Sequence, residues 1–569
     1  MKKRDYLELM NRVLDAYTPA KIDELIEKCR RNGVTEHGFP RLAADLGILI
    51  CAGYRREYVP RFTEMMTLCC EGMVREDAAA LKTGNEFSVG ELVFCILETE
   101  RSGLFPRSVT DEWRRILGGI KLKNCYKYIA KEPPVRIGNW AAFAAVSEQA
   151  RKSAGIGNES HFIENQMASQ KLSLDSNGFY RDPHEPMLYD LMTRVQIMTC
   201  LHFGYSGGDR DDIGELLRRS AEKYLSVQSV TGEIAYGGRS AQYLYNEACL
   251  AAAFEYAAGD CADRGEYAEA IKYKRAAEKA VRSLDPWMKN CELRHIKNKW
   301  GQEDTYGCEG YGYFDKYMVT TASNLYRGVL FCRDDIEIPE DLSENDDGTP
   351  TVVRTTDFFH KAFARAGDYF AEYDLRADPN YDGTGLGRIH RRGAPSAICL
   401  SVPFARTPKY SIGRENPCGL SLCPMKTDNG GDLVSAADPA TAWVLRWYRT
   451  EKDSCELDLS VTFPESAPLR EHLTVSSDGA MLVLEGGEDE RLARALPAFS
   501  FDGSTAGSPT VRLENGALTV SYEGWVCTYR TDGEIRPTGL VFRNRNGYYK
   551  LFRAEGKGKL SVTVTIEKE

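Results

Sequence analysis

The chain has 569 residues, of which 73 are Lys or Arg and 83 are Asp or Glu, giving a net charge of −10 with 43% hydrophobic residues. That length buries more than one core and predicts two to four domains, and the acidic balance argues against a protein that works on nucleic acid or an anionic membrane. The basic start M-K-K-R-D-Y-L-E-L-M-N-R is followed by no apolar segment and no stretch is long enough to span a bilayer, so the expected location is the cytoplasm.

The 17 cysteines are scattered singly, several inside apolar helical patterns (Cys51, Cys95, Cys200, Cys249), which suits reduced, packed thiols. Neither Cys69-Cys70 nor the Cys418/Cys423 pair has metal-ligand spacing, so no metal and no cofactor are expected. Thirty tyrosines and seven tryptophans, many on Gly-containing loops, suit surfaces that stack on sugar rings as well as ordinary packing.

From Asp5 to about Arg333 apolar residues recur at spacings of three and four, predicting helices at Arg4–Tyr17, Pro19–Arg31, Gly38–Ala52, Arg56–Cys70, Val89–Arg101, Ser108–Leu117, Trp140–Ala154, Ser160–Ser169, Pro186–Phe203, Asp211–Ser226, Ala241–Ala258, Glu266–Leu284 and Lys316–Cys332. So many hairpins in series predict a closed ring of inner and outer helices, an α/α toroid over residues 1–333, because an open stack leaves apolar faces at both ends. The acidic, aperiodic stretch 334–350 is the expected linker. Beyond it the period becomes two. Asn515-Gly516 between 511–513 and 518–522 is a hairpin signal, and 473–475, 481–484, 525–529, 541–543, 548–552 and 560–566 add strands, so residues 351–569 are expected to form an antiparallel β-sandwich. The fold class is α+β multidomain.

Five stretches concentrate chemistry. In R-I-G-N-W, Asn139 and Trp140 open a helix, where Asn139 can simply cap and Trp140 pack. In S-N-G-F-Y-R-D-P-H-E-P-M-L-Y-D-L, the groups Tyr180, Asp182, His184 and Tyr189 gather before and at a helix start, a polar site or a solvated loop. T-G-E-I-A-Y-G-G-R-S-A-Q-Y-L-Y-N-E brings Tyr236, Arg239, Tyr243, Tyr245 and Glu247 to a loop–helix junction; Tyr243 and Glu247, four apart, are expected to share a helix face, and Gly-Gly-Arg-Ser suits close approach to a ligand. W-G-Q-E-D-T-Y-G-C-E-G-Y-G-Y, carrying Trp300, Asp304, Tyr306, Glu309 and Tyr311, is too Gly-rich for a regular element and reads as a substrate-shaping loop. Finally Arg388, His390, Arg391 and Arg392 are expected at a Gly-flanked turn, a candidate carboxylate-binding edge. No P-loop, dinucleotide fingerprint, G-x-S-x-G or H-E-x-x-H appears.

The order of parts, with the Asn-Trp helix start, the Gly-plus-Tyr helix mouth and a His in the β-domain, resembles the uronate polysaccharide lyases of the heparinase II/III, alginate lyase and chondroitin lyase type. G-R-S-A-Q-Y together with G-F-Y-R-D-P is similar, more loosely, to rhamnose-glucuronate lyase or glucuronidase-like toroid families. The resemblance implies a β-elimination in which Tyr243 is the catalytic tyrosine, Asn139, His184 and Arg239 neutralise the uronate carboxylate, and His390 assists from the β-domain. A carbon acid beside a carboxylate ionises only when that charge is cancelled. The motif departs from the family in having Thr231-Gly232 where Asp-Gly is usual, and Tyr236 or Tyr245 can take the place of Tyr243. Two rivals remain open: a glycoside hydrolase using two carboxylates among Asp182, Glu247, Asp304 and Glu309, and a non-catalytic sugar-binding protein. The expected partner is a uronic-acid-containing oligosaccharide, attacked in exo fashion.

Overall fold

The structure is a computed structural model that describes residues 1–76, 83–339, 349–427 and 433–569. Most of the expected linker, 340–348, falls outside the described residues. The helices are α1 (Lys3–Val13), α2 (Pro19–Asn32), α3 (Gly38–Cys51), α4 (Val59–Met73), α5 (Val89–Ser102), α6 (Arg107–Gly118), α7 (Leu122–Cys125), α8 (Trp140–Ser153), α9 (Ser160–Lys171), α10 (Met187–His202), α11 (Arg210–Val227), α12 (Tyr245–Asp263), α13 (Tyr267–Arg282), α14 (Asp285–Met288) and α15 (Phe314–Phe331). No helix among the described residues is long and apolar enough to cross a membrane.

Two kinds of helix alternate, and their sequences explain why. In α2 only Ile22, Ile26 and Cys29 are buried, and in α6 Thr110, Trp113, Ile116 and Leu117, so each covers a core with one stripe. In α3, α8, α10, α12 and α15 nearly every side chain is buried, many of them Ala, Gly or Cys small enough for neighbours to pack closely. These are the inner helices: α3 packs on α5, α5 on α8, α8 on α10, α10 on α12, α12 on α15 and α15 back on α3, a closed ring of six. One-faced helices α1, α4, α6, α9, α11 and α13 pack outside it. Because an outer helix separates successive inner ones, all six inner helices run the same way and their N-terminal ends surround one mouth.

Contacts trace that mouth round the ring. The His37 ring lies 5.0 Å from Phe87, Phe87 4.8 Å from Trp140, and Arg136 of the loop before α8 donates to the Arg181 carbonyl before α10. Tyr189 of α10 reaches Ser240, Tyr245 of α12 stacks on Tyr317 of α15 at 5.0 Å, and Arg41 of α3 closes the circuit on Thr320 at 2.7 Å.

The C-terminal part is antiparallel throughout. A four-stranded sheet takes the order β1 (Thr351–Arg354), β2 (Lys361–Ala366), β3 (Tyr369–Asp374), β4 (Gly385–Arg391), and an eleven-stranded sheet runs from 510–514 to 442–450 with a branch on 548–557. The Asn515-Gly516 hairpin has φ values of 50° and 73° with Glu514 opposite Ala517, the left-handed pair that a two-residue turn needs. Ala371, Tyr373 and Leu386 share a core with Leu457, Leu473, Leu482 and Val562 of the large sheet, whereas Phe363 and Phe370 join the toroid core. The small sheet is thus buried on both faces, which erased the period-two signal over 351–391. Arg388 and His390 lie within strand β4 and not at a turn; the extra residue Gly387 opposite the Glu372/Tyr373 step puts both on the toroid face.

Candidate active site

Three of the six mouth loops, those before α10, α12 and α15, meet the β-domain. The loop before α12 is shaped by backbone that L residues resist. Gly238 has φ 71° and a Cβ there would stand 2.7 Å from Pro186 Cα, while Ser240 and Gln242 hold φ 61° and 69°. Those left-handed residues also delay the helix. The predicted start at Ala241 moves to Tyr245, so Tyr243, bridged to Ile296, precedes the helix and does not share a helical face with Glu247.

Glu309 is the hub of the cluster. Its Oε1 accepts from the Ser240 N–H at 2.6 Å and from Arg545 Nη2 at 2.7 Å; its Oε2 accepts from the Tyr243 hydroxyl at 2.9 Å and from Arg545 Nη1 at 3.2 Å. Arg545 comes from the β-domain and is fully buried. The Tyr243 hydroxyl also receives the Glu309 N–H at 3.2 Å, and the ring stacks on Tyr317 at 4.6 Å and Tyr245 at 5.8 Å. Burial first, and then the charge of Glu309, holds the Tyr243 phenol well above its ordinary pKa.

A second layer faces the cleft. Ser240 Oγ is 3.1 Å from Tyr311 Oη and 3.3 Å from Tyr189 Oη, so three hydroxyls form one chain. The Arg239 guanidinium covers the Tyr189 ring at 4.3 Å, donates to the Pro183 carbonyl at 2.8 Å and pairs with Asp182, yet 23% of its side chain stays exposed. Tyr311 is 37% exposed, against none of Tyr243. Tyr381 of the β-domain adds a part-buried phenol raised by burial and then by Glu309, with Arg239 opposing. Burial also raises the Asp182 carboxyl, with Arg239 pulling the other way.

The remaining candidates separate into other places. His184 is mostly exposed at the rim, its Nδ1 3.4 Å from Asp378; Trp140 lies on the far side of the mouth beside Phe87 and Tyr128, and Asn139 is buried at the start of α8, its side chain making no capping hydrogen bond. Tyr180 is buried and donates to the Ile137 carbonyl at 3.3 Å. Trp300 stacks on Tyr306 at 3.7 Å, and Tyr306 donates to the Asn544 carbonyl at 2.9 Å, a pillar between the loop and the β-domain. His390 lies in the interface, its Nδ1 2.8 Å from Ser229 Oγ and its Nε2 3.3 Å from Ser401 Oγ; burial and then Arg388 hold it neutral, well below the ordinary value. Arg388 donates to the Ile234 carbonyl at 2.7 Å and sits 3.3 Å from Glu372, with Tyr236 beneath it. Arg391 donates to the Ile566 carbonyl and Arg392 pairs with Asp368 at 2.9 Å. Glu247 is bound by Lys297 at 2.8 Å, which also holds Glu233 at 2.9 Å.

Sequence reading missed Arg545, Ser240, Tyr317 and Tyr381. Arg545 sits in R-N-R-N-G-Y-Y, which reads as a polar hairpin, and nothing local shows that it reaches 236 positions back to Glu309. Also missed is His360, whose Nδ1 meets Asp374 at 2.7 Å and whose Nε2 meets Glu185 of the toroid at 2.8 Å. Burial opposes its charge, but the two carboxylates prevail and carry its pKa up to about 9. Among the described residues no group of three or more His, Cys, Asp or Glu is placed to hold a metal ion.

No protein-family model matches the chain, and no curated protein sequence matches it. Solved structures similar to it include heparinase III, at 10% identity and TM-score 0.45 over 93% of this chain and 77% of that one. The chondroitin AC lyase of Streptomyces coelicolor is similar at 10% identity and TM-score 0.45 over 100% and 83%. A glycosyl hydrolase family 88 protein from Bacteroides vulgatus is similar at 12% identity and TM-score 0.39 over 58% and 100%.

Proposed function

We propose that the protein cleaves uronic-acid-containing oligosaccharides by β-elimination at the toroid mouth. The observation that carries this reading is one part-exposed guanidinium, Arg239, beside a chain of three hydroxyls, with Asp182, Glu247 and Glu309 each already engaged. Asp182 is held by Arg239, Glu247 by Lys297, and Glu309 by Arg545, Ser240 and Tyr243. A hydrolase needs two carboxylates available to the sugar; an eliminase needs a cation on the carboxylate and a hydroxyl on the proton.

In this mechanism Arg239 pairs with the uronate carboxylate and stabilises the enolate-like charge that develops when the C5–H bond breaks. A tyrosine of the Tyr189–Ser240–Tyr311 chain takes the C5 proton as its own hydroxyl proton passes along the chain to the leaving oxygen, so that C4=C5 forms while the C4–O bond breaks. Tyr311 is the assigned proton carrier because it is part-exposed and belongs to the hydroxyl chain, while Tyr243 is buried and fixes Glu309. The six inner-helix N-termini round the mouth add a field that favours an anion. Pairs that bridge toroid and β-domain, Glu185–His360 and His184–Asp378, close one side of the mouth, which suits a pocket and exo action.

The test is incubation with a panel of uronate oligosaccharides while near-ultraviolet absorbance of the unsaturated uronide and released sugar are followed together. Rising absorbance, lost in Arg239→Ala and reduced at least about a hundredfold in Tyr311→Phe, is the expected result. Loss in Tyr243→Phe with Tyr311→Phe active moves the proton transfer to Tyr243. Sugar release with flat absorbance replaces the reading by a hydrolase in which Asp182, its carboxyl raised by burial, is the acid.

A further inference from the structure

Round the mouth from Arg239, past Tyr311, positive charge gathers without ion-paired acids to match it. Lys316 stands in the first turn of α15, half-buried, its ammonium 5.7 Å from the centre of the Tyr313 ring. No carboxylate among the described residues lies within ion-pair distance of it. Glu36 acts on it through space, but that carboxylate already accepts the Gly38 N–H at 2.9 Å and the Tyr313 hydroxyl. Burial lowers the Lys316 ammonium from its ordinary value, with Glu36 opposing and Arg41 adding to the fall, so its surroundings leave the charge uncompensated.

Two more cations continue the row along the inner-helix mouth. Arg41, buried, donates to Thr320 Oγ1 at 2.7 Å and to the Phe87 carbonyl at 3.3 Å, neither of them an acid. Lys127 lies 5.1 Å from the centre of the Trp140 ring and 5.2 Å from that of Tyr128. Glu86, the acid beside it, accepts the Lys127 N–H, and burial raises its carboxyl toward the neutral form. Tyr313 and Tyr128 are 40% and 38% exposed, so both rings offer a surface on which a sugar can rest. Tyr311 joins this row to the proposed reaction site: its hydroxyl meets Ser240, and its ring lies 6.3 Å from Tyr317, the residue after Lys316.

We propose that Lys316 is a specificity-determining residue that pairs with the acidic group of the sugar next to the one cleaved, so that the substrate carries acids on consecutive sugars. The inference rests on the function proposed above; the row of cations stands without it. An oligoglucuronate gives one carboxylate to Arg239 and the next to Lys316. A chain that alternates glucuronate with a neutral sugar places an uncharged ring there and leaves the ammonium without a partner.

Binding is measured calorimetrically on the full chain carrying Tyr311→Phe, which slows turnover, with two probes: a glucuronate tetrasaccharide and a tetrasaccharide alternating glucuronate with N-acetylglucosamine. The first is expected to bind about tenfold more tightly, and adding Lys316→Met cuts that preference at least about fivefold. Lys316→Arg, which keeps the charge, retains most of it, and Lys452→Met, an exposed lysine in the β-domain, controls for the loss of one positive charge anywhere on the protein. Circular dichroism checks that each variant is folded. The proposal is overturned by a parent without preference, by Lys316→Met with the parent's preference, by an equal loss in Lys452→Met, or by no binding of either probe. Preference lost in Lys316→Met alongside a flat absorbance assay supports the subsite and removes the elimination, whereas elimination without preference removes the subsite alone.

Discussion

Glu309 accepts four hydrogen bonds from three groups in a space closed to solvent, and its charge is tolerable there because Arg545 matches it with two. Replacing Arg545 by Met leaves a buried, unpaired carboxylate, a loss of about 3–5 kcal/mol in stability that urea unfolding measures. Glu309→Gln in that background restores part of it, because the amide needs no counter-ion. Gly312 sets a second limit. A Cβ there falls 1.8 Å from the Tyr243 hydroxyl, so Gly312→Ala turns the phenol away from Glu309 and lowers kcat with little change in KM, which steady-state kinetics separates. At this scale the sequence showed which residues were chemically unusual but not which were paired. Arg239, Tyr243, Tyr311 and Glu309 stood out from their glycine-rich surroundings, whereas nothing in the sequence singled out Arg545 or His360, whose partners Glu309 and Glu185 are far away in the chain.

Helices were legible because burial leaves a mark on sequence. One-faced α6 alternates buried and exposed positions, and all-round α12 substitutes Ala and Cys where an outer helix has Lys and Glu. Ala252 in α12 is fully buried, so Ala252→Leu overfills the ring and costs about 1–3 kcal/mol, read as a lowered denaturant midpoint at unchanged slope. The miss at the start of α12 has a local cause: propensity favours helix from Ala241, but two left-handed residues, Ser240 and Gln242, put the chain in a turn that faces Arg239 and Ser240 toward the cleft. Strands β2 to β4 escaped a two-residue period because toroid and sandwich bury opposite faces of the same sheet.

The two domains are joined by charge as well as by packing, and the joint responds to pH. Burial, opposed by Lys361, carries the Asp382 carboxyl up to about 7, and it accepts the Gly238 N–H at 2.6 Å. His360 is raised to about 9. Both folded values lie above the ordinary ones, so both groups contribute stability that is complete at low pH and lost as pH rises, through about 7 for Asp382 and about 9 for His360. The thermal midpoint is expected to fall between pH about 4 and about 9, in two steps, from about 4 to about 7 for Asp382 and from about 6.5 to about 9 for His360; Asp382→Asn removes the first and His360→Gln the second. A midpoint flat across that range in the parent protein contradicts the assignment. The tie from Arg545 to Glu309 has a consequence in time. During synthesis the toroid is complete well before Arg545 exists, since 236 positions separate the partners. A nascent toroid therefore lacks the guanidinium that matches Glu309 beside Tyr243, and the β-domain supplies it once the chain has grown past that arginine.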